Sequence, residues 1–366
     1  MKEQALYESF WLSTIPGIGP VSVEKLLEAA GDVEKVKDLP RDRILACLGS
    51  KRGQLLEQAL EEKTRHAARM RLMQIREQQI LYLPRWHPAF PGRLGSIPDP
   101  PLMLFIKGRL PAEETKTAAL IGARACSAYG AQMARYFAER LACSGVAVIS
   151  GMARGVDSIA QEAALRAGQS SVAVLGCGVD ICYPPENRQL YDRLVHEGAL
   201  VSEYLPGTRP QPGLFPPRNR IISGLSDLVL VIEAREKSGT LITVDMALEQ
   251  GRDVYAVPGR IQDVCSRGCN RLIANGAGIA ADAECILEVL QQTGVSTMLS
   301  PEKNTREKRP LTDRVLAVLG TEAMSMDAIA ARMQAEDRLP EVMQELLYLN
   351  MEGTVLMQGG RYFKNI

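Results

Sequence analysis

The chain has 366 residues, which suits two or three domains rather than one. A hydrophobic fraction of 46% with 23% charged residues is ordinary globular composition with a sizeable core, and it excludes disordered, collagen-like and coiled-coil classes. Forty-three basic residues cancel 43 acidic ones, so no overall field draws in a polyanion and any nucleic-acid surface must be a local patch. No apolar run is long enough to span a bilayer. The start, MKEQALYESFWLS, carries Glu3 and Glu8 where a leader peptide needs an apolar stretch. The eight cysteines lie mostly inside apolar runs and read as reduced thiols, so the expected address is the cytoplasm.

Residues 1–80 read as a small helical domain. A helix ends near Ile15-Pro16-Gly17-Ile18-Gly19-Pro20, and a second follows through Val23, Leu26 and Leu27 to Gly31, a residue suited to end it. The turn has the form of a helix-hairpin-helix, whose outward N–H groups grip phosphates without reading bases; a plain helical turn is the alternative, and Lys25 is the one nearby cation. From Gln54 to Gln79 an Arg- and Glu-rich periodic stretch predicts an exposed helix face. Residues 81–117, with a Pro-rich passage from Leu83 to Pro101, read as an extended connector leading into the core.

Over 118–295 short apolar runs alternate with helical patterns. The runs are Ala118–Gly122, Val146–Gly151, Ser171–Gly176, Ala199–Tyr204, Asp227–Glu233 and Asp253–Pro258. Consecutive apolar residues imply strands buried on both faces, and intervening helices imply parallel crossovers, hence an α/β fold with a doubly wound, Rossmann-like parallel sheet. A polar linker is expected over 296–310. The last part, 311–366, shows helical patterns near Asp313–Leu319, Met326–Met333 and Leu339–Met351, then a hairpin signal at Gly359-Gly360, together winged-helix-like.

In such a sheet the loops at the carboxyl ends of the strands carry the ligand site. After the first run, Gly122-Ala123-Arg124 leads to Ser127, a capping residue at a helix N-terminus that favours an anion, with Arg124 placed for a phosphate. A capped helix with a solvated arginine is the plainer alternative. After the second run, Gly151 and Arg154 repeat the theme. Gly176-Cys177-Gly178 lacks the third glycine of a dinucleotide fingerprint, so NAD binding is not expected. The segment Gly207–Arg220, GTRPQPGLFPPRNR, holds Arg209, Arg218 and Arg220 with no acid and presents Phe215, a combination that suits one strand of nucleic acid, with charge on phosphates and a ring under a base. Alternatively Phe215 fills core and the arginines pair with carboxylates. Lys237-Ser238-Gly239-Thr240, opening a helix, either cradles a phosphate or is an ordinary turn.

Catalytic groups are scarce. His66, His87 and His196 lie far from these loops, the pairs Cys265/Cys269 and Cys177/Cys182 each lack a second half for zinc, and no Walker A sequence occurs. No metal, cofactor or catalytic residue is expected.

These loops, in this order, resemble the DNA-processing protein A family (DprA/Smf). The resemblance rests on GARACSAYG, SGMARGVDSIAQEAAL, VAVLGCGVDICYPPEN, LVSEYLPGTRPQPGLFPPRNRIISGLSDLVLVIEAREKSGTLITVDMALEQGRDVYAVPG and GCNRLIANGA. It implies a non-catalytic protein that binds single-stranded DNA, forms a homodimer through its Rossmann-like domain and delivers strand to the recombinase RecA in natural transformation. It also implies that Arg124, Phe215, Arg218, Asn219, Arg220 and Lys237 lie on or near the strand-binding pocket. Its N-terminal domain is of the SAM or helix-hairpin-helix kind, and its C-terminal part a winged helix. Here residues 311–366 carry five basic against eight acidic residues, a net −3, and the groove-entering helix, Leu339–Leu349, has Glu341 and Glu345 but no cation. Such a face repels phosphate, so this part is expected to meet protein, or nothing, rather than duplex DNA.

The rival reading is an enzyme. The glycine-rich turn also resembles that of the lysine-decarboxylase-like nucleotide phosphoribohydrolases, which place a glutamate at the sugar after Gly-Gly-x-Gly-Thr and two intervening residues. Thr243 stands at that position, and a neutral hydroxyl cannot serve as the acid or base; Glu249, about two helical turns on, is a poor substitute.

Overall fold

The computed structural model describes residues 2–292 together with 315–319, 324–333, 342–343, 345–346, 349, 355–358 and 361–364. The chain divides into two compact units, 1–295 and 296–366.

The first unit begins with helices α1 (Glu3–Ser13), α2 (Pro20–Ala30), α3 (Arg41–Ala59) and α4 (Glu62–Glu77). Gly17 takes a left-handed φ of 82° in the turn after α1, Pro20 opens α2 with its pre-set φ, and Gly31, at φ 73°, closes it. Ile15 and Ile18 face inward into a core with Trp11, Leu26 and Leu56. The periodic stretch from Gln54 is two helices rather than one, broken at Leu60-Glu61. Its face is not wholly solvated either, because Arg65 turns inward onto the buried Glu8.

The Pro-rich passage also differs from a simple connector. Strand β1 (Leu81–Pro84) pairs antiparallel with β2 (Met103–Gly108), with Leu83 opposite Leu104. The prolines cluster between the two strands, where no ladder N–H is required, so they fill the connection and leave the hydrogen bonding intact. Phe10 of α1 packs edge-on against Tyr82, ring centroids 5.2 Å apart, and Tyr82 lies 5.7 Å from Phe105, which ties the helices to this edge of the sheet.

All six predicted runs are strands: β3 (Thr117–Ile121), β4 (Ala147–Ser150), β5 (Ser171–Val174), β6 (Ala199–Ser202), β7 (Leu228–Val231) and β8 (Asp253–Ala256). With a short β9 (Gly278–Ile279) they form one sheet in the order β1-β2-β6-β5-β4-β3-β7-β8-β9, parallel from β6 to β9 and antiparallel at β2 and β1. Helices α6 (Ala128–Cys143), α7 (Val156–Arg166), α8 (Arg188–Glu197) and α12 (Ala283–Gln292) help cover one face, while the short α5 (Gly92–Gly95), α9 (Phe215–Gly224), α10 (Gly239–Glu249) and α11 (Arg267–Ala274) pack on the other. Burial on both faces is why these strands read as unbroken apolar runs instead of alternating. The chain leaves β3 through β4, β5 and β6, then crosses back along α9 to lay β7 on the other side of β3. The order therefore reverses at β3, the kind of switch point where open α/β sheets form a crevice.

At the opposite, amino-terminal edge, Asp227 fastens the sheet. Its Oδ2 accepts from Thr117 N (2.8 Å), Thr117 Oγ1 (3.1 Å) and Arg93 Nη1 (3.0 Å). Among the described residues no helix is long and apolar enough to cross a membrane.

In the second unit β10 (Met324–Ser325), β12 (Arg361–Lys364) and β11 (Val355–Gln358) form a three-stranded antiparallel sheet, and the hairpin expected at Gly359-Gly360 pairs Gln358 with Arg361. A helix at Met326–Arg332 is capped by Ser325. Glu345 is only 6% exposed, so it does not contribute to an acidic outer face, in contrast to the sequence expectation. Glu341 and the linker 296–310 lie outside the described residues, as does much of Leu339–Leu349.

Asp227→Ala leaves Thr117 and Arg93 without their shared acceptor, at the far end of the strands from the crevice. Urea unfolding is expected to show a loss of about 2–3 kcal/mol, with the crevice at the other end of the strands left intact.

Candidate nucleic-acid interface

A cavity of about 480 Å³ opens at the switch point, over the carboxyl ends of β3, β4 and β7. Four stretches of chain build it.

The β3–α6 loop brings Arg124. Gly155, at φ 76°, lies so close under this loop that a Cβ there would meet Arg124 O at 2.6 Å, and Val156 N donates to Ala123 O at 3.3 Å. The exposed Arg124 guanidinium is 5.8 Å from the centre of the Phe215 ring. The N-terminus of α6, where a phosphate was expected, is already filled from within. Glu233, 2% exposed at the end of β7, accepts from Ser127 N at 2.9 Å and from Ser127 Oγ at 2.5 Å, and Ser127 Oγ in turn accepts from Gly130 N at 3.1 Å. The carboxylate supplies the negative charge that a helix start favours, and Ser127 is outside the cavity. Any Cβ at residue 130 would collide with this carboxylate.

The β4–α7 loop brings Asp157. Its Oδ2 accepts from Gly151 N (3.1 Å) and Ala153 N (3.4 Å), which folds the loop back on itself around Met152 at φ 52°. Gly151 lies behind the wall: a Cβ would meet Arg218 Nη1 at 2.7 Å. Arg154 points away from the cavity and pairs with Glu186.

Helix α9 starts at Phe215 because Pro216 and Pro217 fix φ in its first turn. Arg218, one turn in, is 5% exposed and donates to the carbonyls of Gly151 (3.0 Å) and Val174 and to Asn219 Oδ1 (3.1 Å). Burial pushes the Arg218 guanidinium pKa down and the Asp157 carboxyl pKa up, and the attraction between the two opposes both shifts. The Phe215 ring covers Gly176, where a Cβ would meet it at 2.7 Å. Arg220 is turned out of the cavity. It grips Glu203 with two hydrogen bonds (2.8 and 2.7 Å) and Asp99 with a third (3.0 Å), so its charge is already matched.

The β7–α10 loop brings Arg235 and Lys237, then Ser238, whose Oγ accepts from Thr240 N at 3.2 Å and caps α10. Thr240 Oγ1 donates to Gly122 O at 3.2 Å, joining this loop to the first. Thr243 lines the cavity, 3% exposed.

Of the residues singled out from sequence, the cavity gathers Gly122, Arg124, Phe215, Arg218, Asn219, Lys237, Ser238, Gly239 and Thr240, and leaves Ser127, Gly151, Arg154 and Arg220 off its lining. Arg235 is a cavity cation that the sequence reading passed over; it sits two residues before Lys237 in the same acid-bounded stretch, and only the turn of the loop separates it from Glu236. Among the described residues Arg124, Arg235 and Lys237 have no carboxylate partner, and Asp157 is the one acid on the lining. The wall is therefore cationic in a protein with no net charge.

Residues 81–291 match the family model described as DNA recombination-mediator protein A, a span that starts at β1 and ends in α12. The Smf protein of Synechocystis is 31% identical over 98% of both chains, and that of Escherichia coli 40% identical over 75% of both. Among solved structures, DNA processing protein A from Streptococcus pneumoniae superposes with a TM-score of 0.68 at 31% identity, covering 79% of this chain and 98% of that one. The Helicobacter pylori DNA processing protein A, described for its single-stranded DNA binding mode, gives 0.53 at 28% identity over 59% of this chain and 98% of its own. With more than half its length matched by the family model and a full-length relative above 30% identity, this chain belongs to the DNA recombination-mediator protein A family, the DprA/Smf proteins.

Proposed function

We propose that this protein binds single-stranded DNA in the switch-point cavity, without catalysis, and passes the strand to the recombinase RecA during DNA processing in natural transformation. The observation that carries the binding step is the wall of Arg124, Arg235 and Lys237, cations without carboxylate partners among the described residues, standing around the half-buried Phe215 ring. Exposed cations suit phosphates, a half-open ring suits any base, and together they give affinity that ignores sequence. The Helicobacter pylori relative, named for its single-stranded DNA binding, supports the same ligand here. Cytoplasmic location, homodimer formation through the Rossmann-like unit and RecA as the receiving partner rest on family membership. Light scattering is expected to give twice the chain mass, and the protein to speed RecA filament growth on a coated strand; a monomer or an unchanged rate would refute these parts.

Two residues change their expected weight. Arg218 holds the carbonyl ends of β4 and β5 together, so its removal damages the wall and says little about direct contact. Arg220 is satisfied by Glu203 and Asp99, and we assign it a structural part at the edge of the site.

A phosphoribohydrolase activity finds no support in the lining. Thr243 stands at the position where a carboxylate is needed, and Asp157, the acid present, is committed to two backbone N–H groups and faces a buried arginine. Incubation with nucleoside monophosphates is expected to release no free base.

In fluorescence anisotropy with oligo-dT, Arg124→Ala and Lys237→Ala should each weaken binding and flatten the log K against log salt slope by about 0.7. Phe215→Ala should cost about 1–3 kcal/mol at an unchanged slope, since a ring releases no counterions. Arg220→Ala should alter stability more than affinity. Binding unmoved by all of the first three variants would sink the proposal.

A further inference from the structure

Phe215 does not end the aromatic surface. Tyr183, 41% exposed and outside the cavity, stands beside it with ring centroids 5.5 Å apart and planes tilted by 34°. The two rings form a bent platform that runs from the cavity floor onto the open surface. Among the described residues the Tyr183 ring belongs to no core cluster, and what sets it apart from other exposed side chains is its contact with the Phe215 ring of the cavity. Its loop is held in place. Pro185 opens a short 3-10 helix, Pro185–Asn187, and Asn187 Nδ2 donates to Met152 O at 2.9 Å, which fastens Tyr183 to the β4–α7 loop of the same site. Arg154, in that β4–α7 loop, has its head held by Glu186, three residues past Tyr183, so the guanidinium and the phenol belong to the same pair of joined loops.

We propose that Tyr183 and Arg154 form a second nucleotide subsite: as the strand leaves the cavity, the next base stacks on Tyr183 and its phosphate takes Arg154 from Glu186. The inference rests on the strand-binding reading and extends it by one position. The exchange is cheap to make, because an exposed Arg–Glu pair contributes little to stability and a phosphate is an equal or better bidentate acceptor. It also explains why Arg154, in a loop otherwise turned to the cavity, points away from it. The platform's bend suits a single strand, whose successive bases can tilt apart, and not a duplex, whose bases are stacked among themselves.

The test uses the full chain, labelled oligo-dT long enough to run past the cavity, and a thymidine dinucleotide as a competitor short enough to occupy the cavity alone. Tyr183→Leu keeps an apolar support beside Phe215 but removes the ring. It is expected to weaken the long strand about tenfold and leave the dinucleotide unchanged, whereas Phe215→Ala weakens both. Glu186→Gln, which frees Arg154, should tighten the long strand and steepen its salt slope by about 0.7. Equal losses on both ligands in Tyr183→Leu would mean that Tyr183 acts only by propping Phe215, and no loss on either would remove it from the path; both results overturn the subsite while leaving cavity binding intact. An unchanged slope in Glu186→Gln would overturn the assignment of Arg154. Insensitivity to Phe215→Ala as well would take down the cavity reading together with this one.

Discussion

The site hangs on one buried cation. Arg218 projects from α9 into the gap where the carboxyl ends of β4 and β5 diverge, and its guanidinium binds the carbonyls of Gly151 and Val174 while facing Asp157. A charge this deep is tolerated only because the surrounding acceptors and the carboxylate replace the water it gives up. In return it fixes three things at once: the end of β4, the end of β5 and the angle at which α9 leaves the sheet. Phe215 is one helical turn before Arg218, so the ring's place over Gly176 follows from that anchor. Gly151 and Gly176 are required by close approach, the first to the guanidinium and the second to the ring.

Two of the helices that start at this crevice, α6 and α10, are treated differently by the chain. At α6 the fold supplies its own anion, Glu233, which takes up Ser127 N and Oγ. At α10 the cap is the small Ser238 and the neighbouring side chains are cations, so the same electrostatic preference faces outward. Among the described residues a carboxylate fills one terminus and none the other, so under the proposed function a polyanion would be drawn to the α10 side of the crevice. Thr240, bonded to Gly122 O, keeps the two loops in register so that Arg124 and Lys237 share one wall.

The parallel core was legible in the sequence because burial on both faces removes the polar residues that would otherwise alternate, and each apolar run could be read by itself. Strands β1 and β2 were not, since prolines between them mimic a connector and their pairing is tertiary. The cations in the loops were legible as a group, but their individual fates were not. Arg124, Arg218 and Arg220 look alike in one dimension, yet one is solvated, one is buried on carbonyls and one is clamped by Glu203, seventeen positions away. Arg235 was hidden by Glu233 and Glu236 on either side, which suggest a neutral stretch until the fold buries the first and draws the second toward Arg271.

The sequence by itself determined the class of fold, the loops that meet at its crevice and the chemistry they bring, because hydrophobic periodicity and glycine-rich turns act over a few residues. Only the tertiary structure decided which charges stay free. Pairing depends on what lies within about 4 Å, and here the partners, Glu203 for Arg220, Glu186 for Arg154 and Glu233 for the start of α6, come from distant strands and loops.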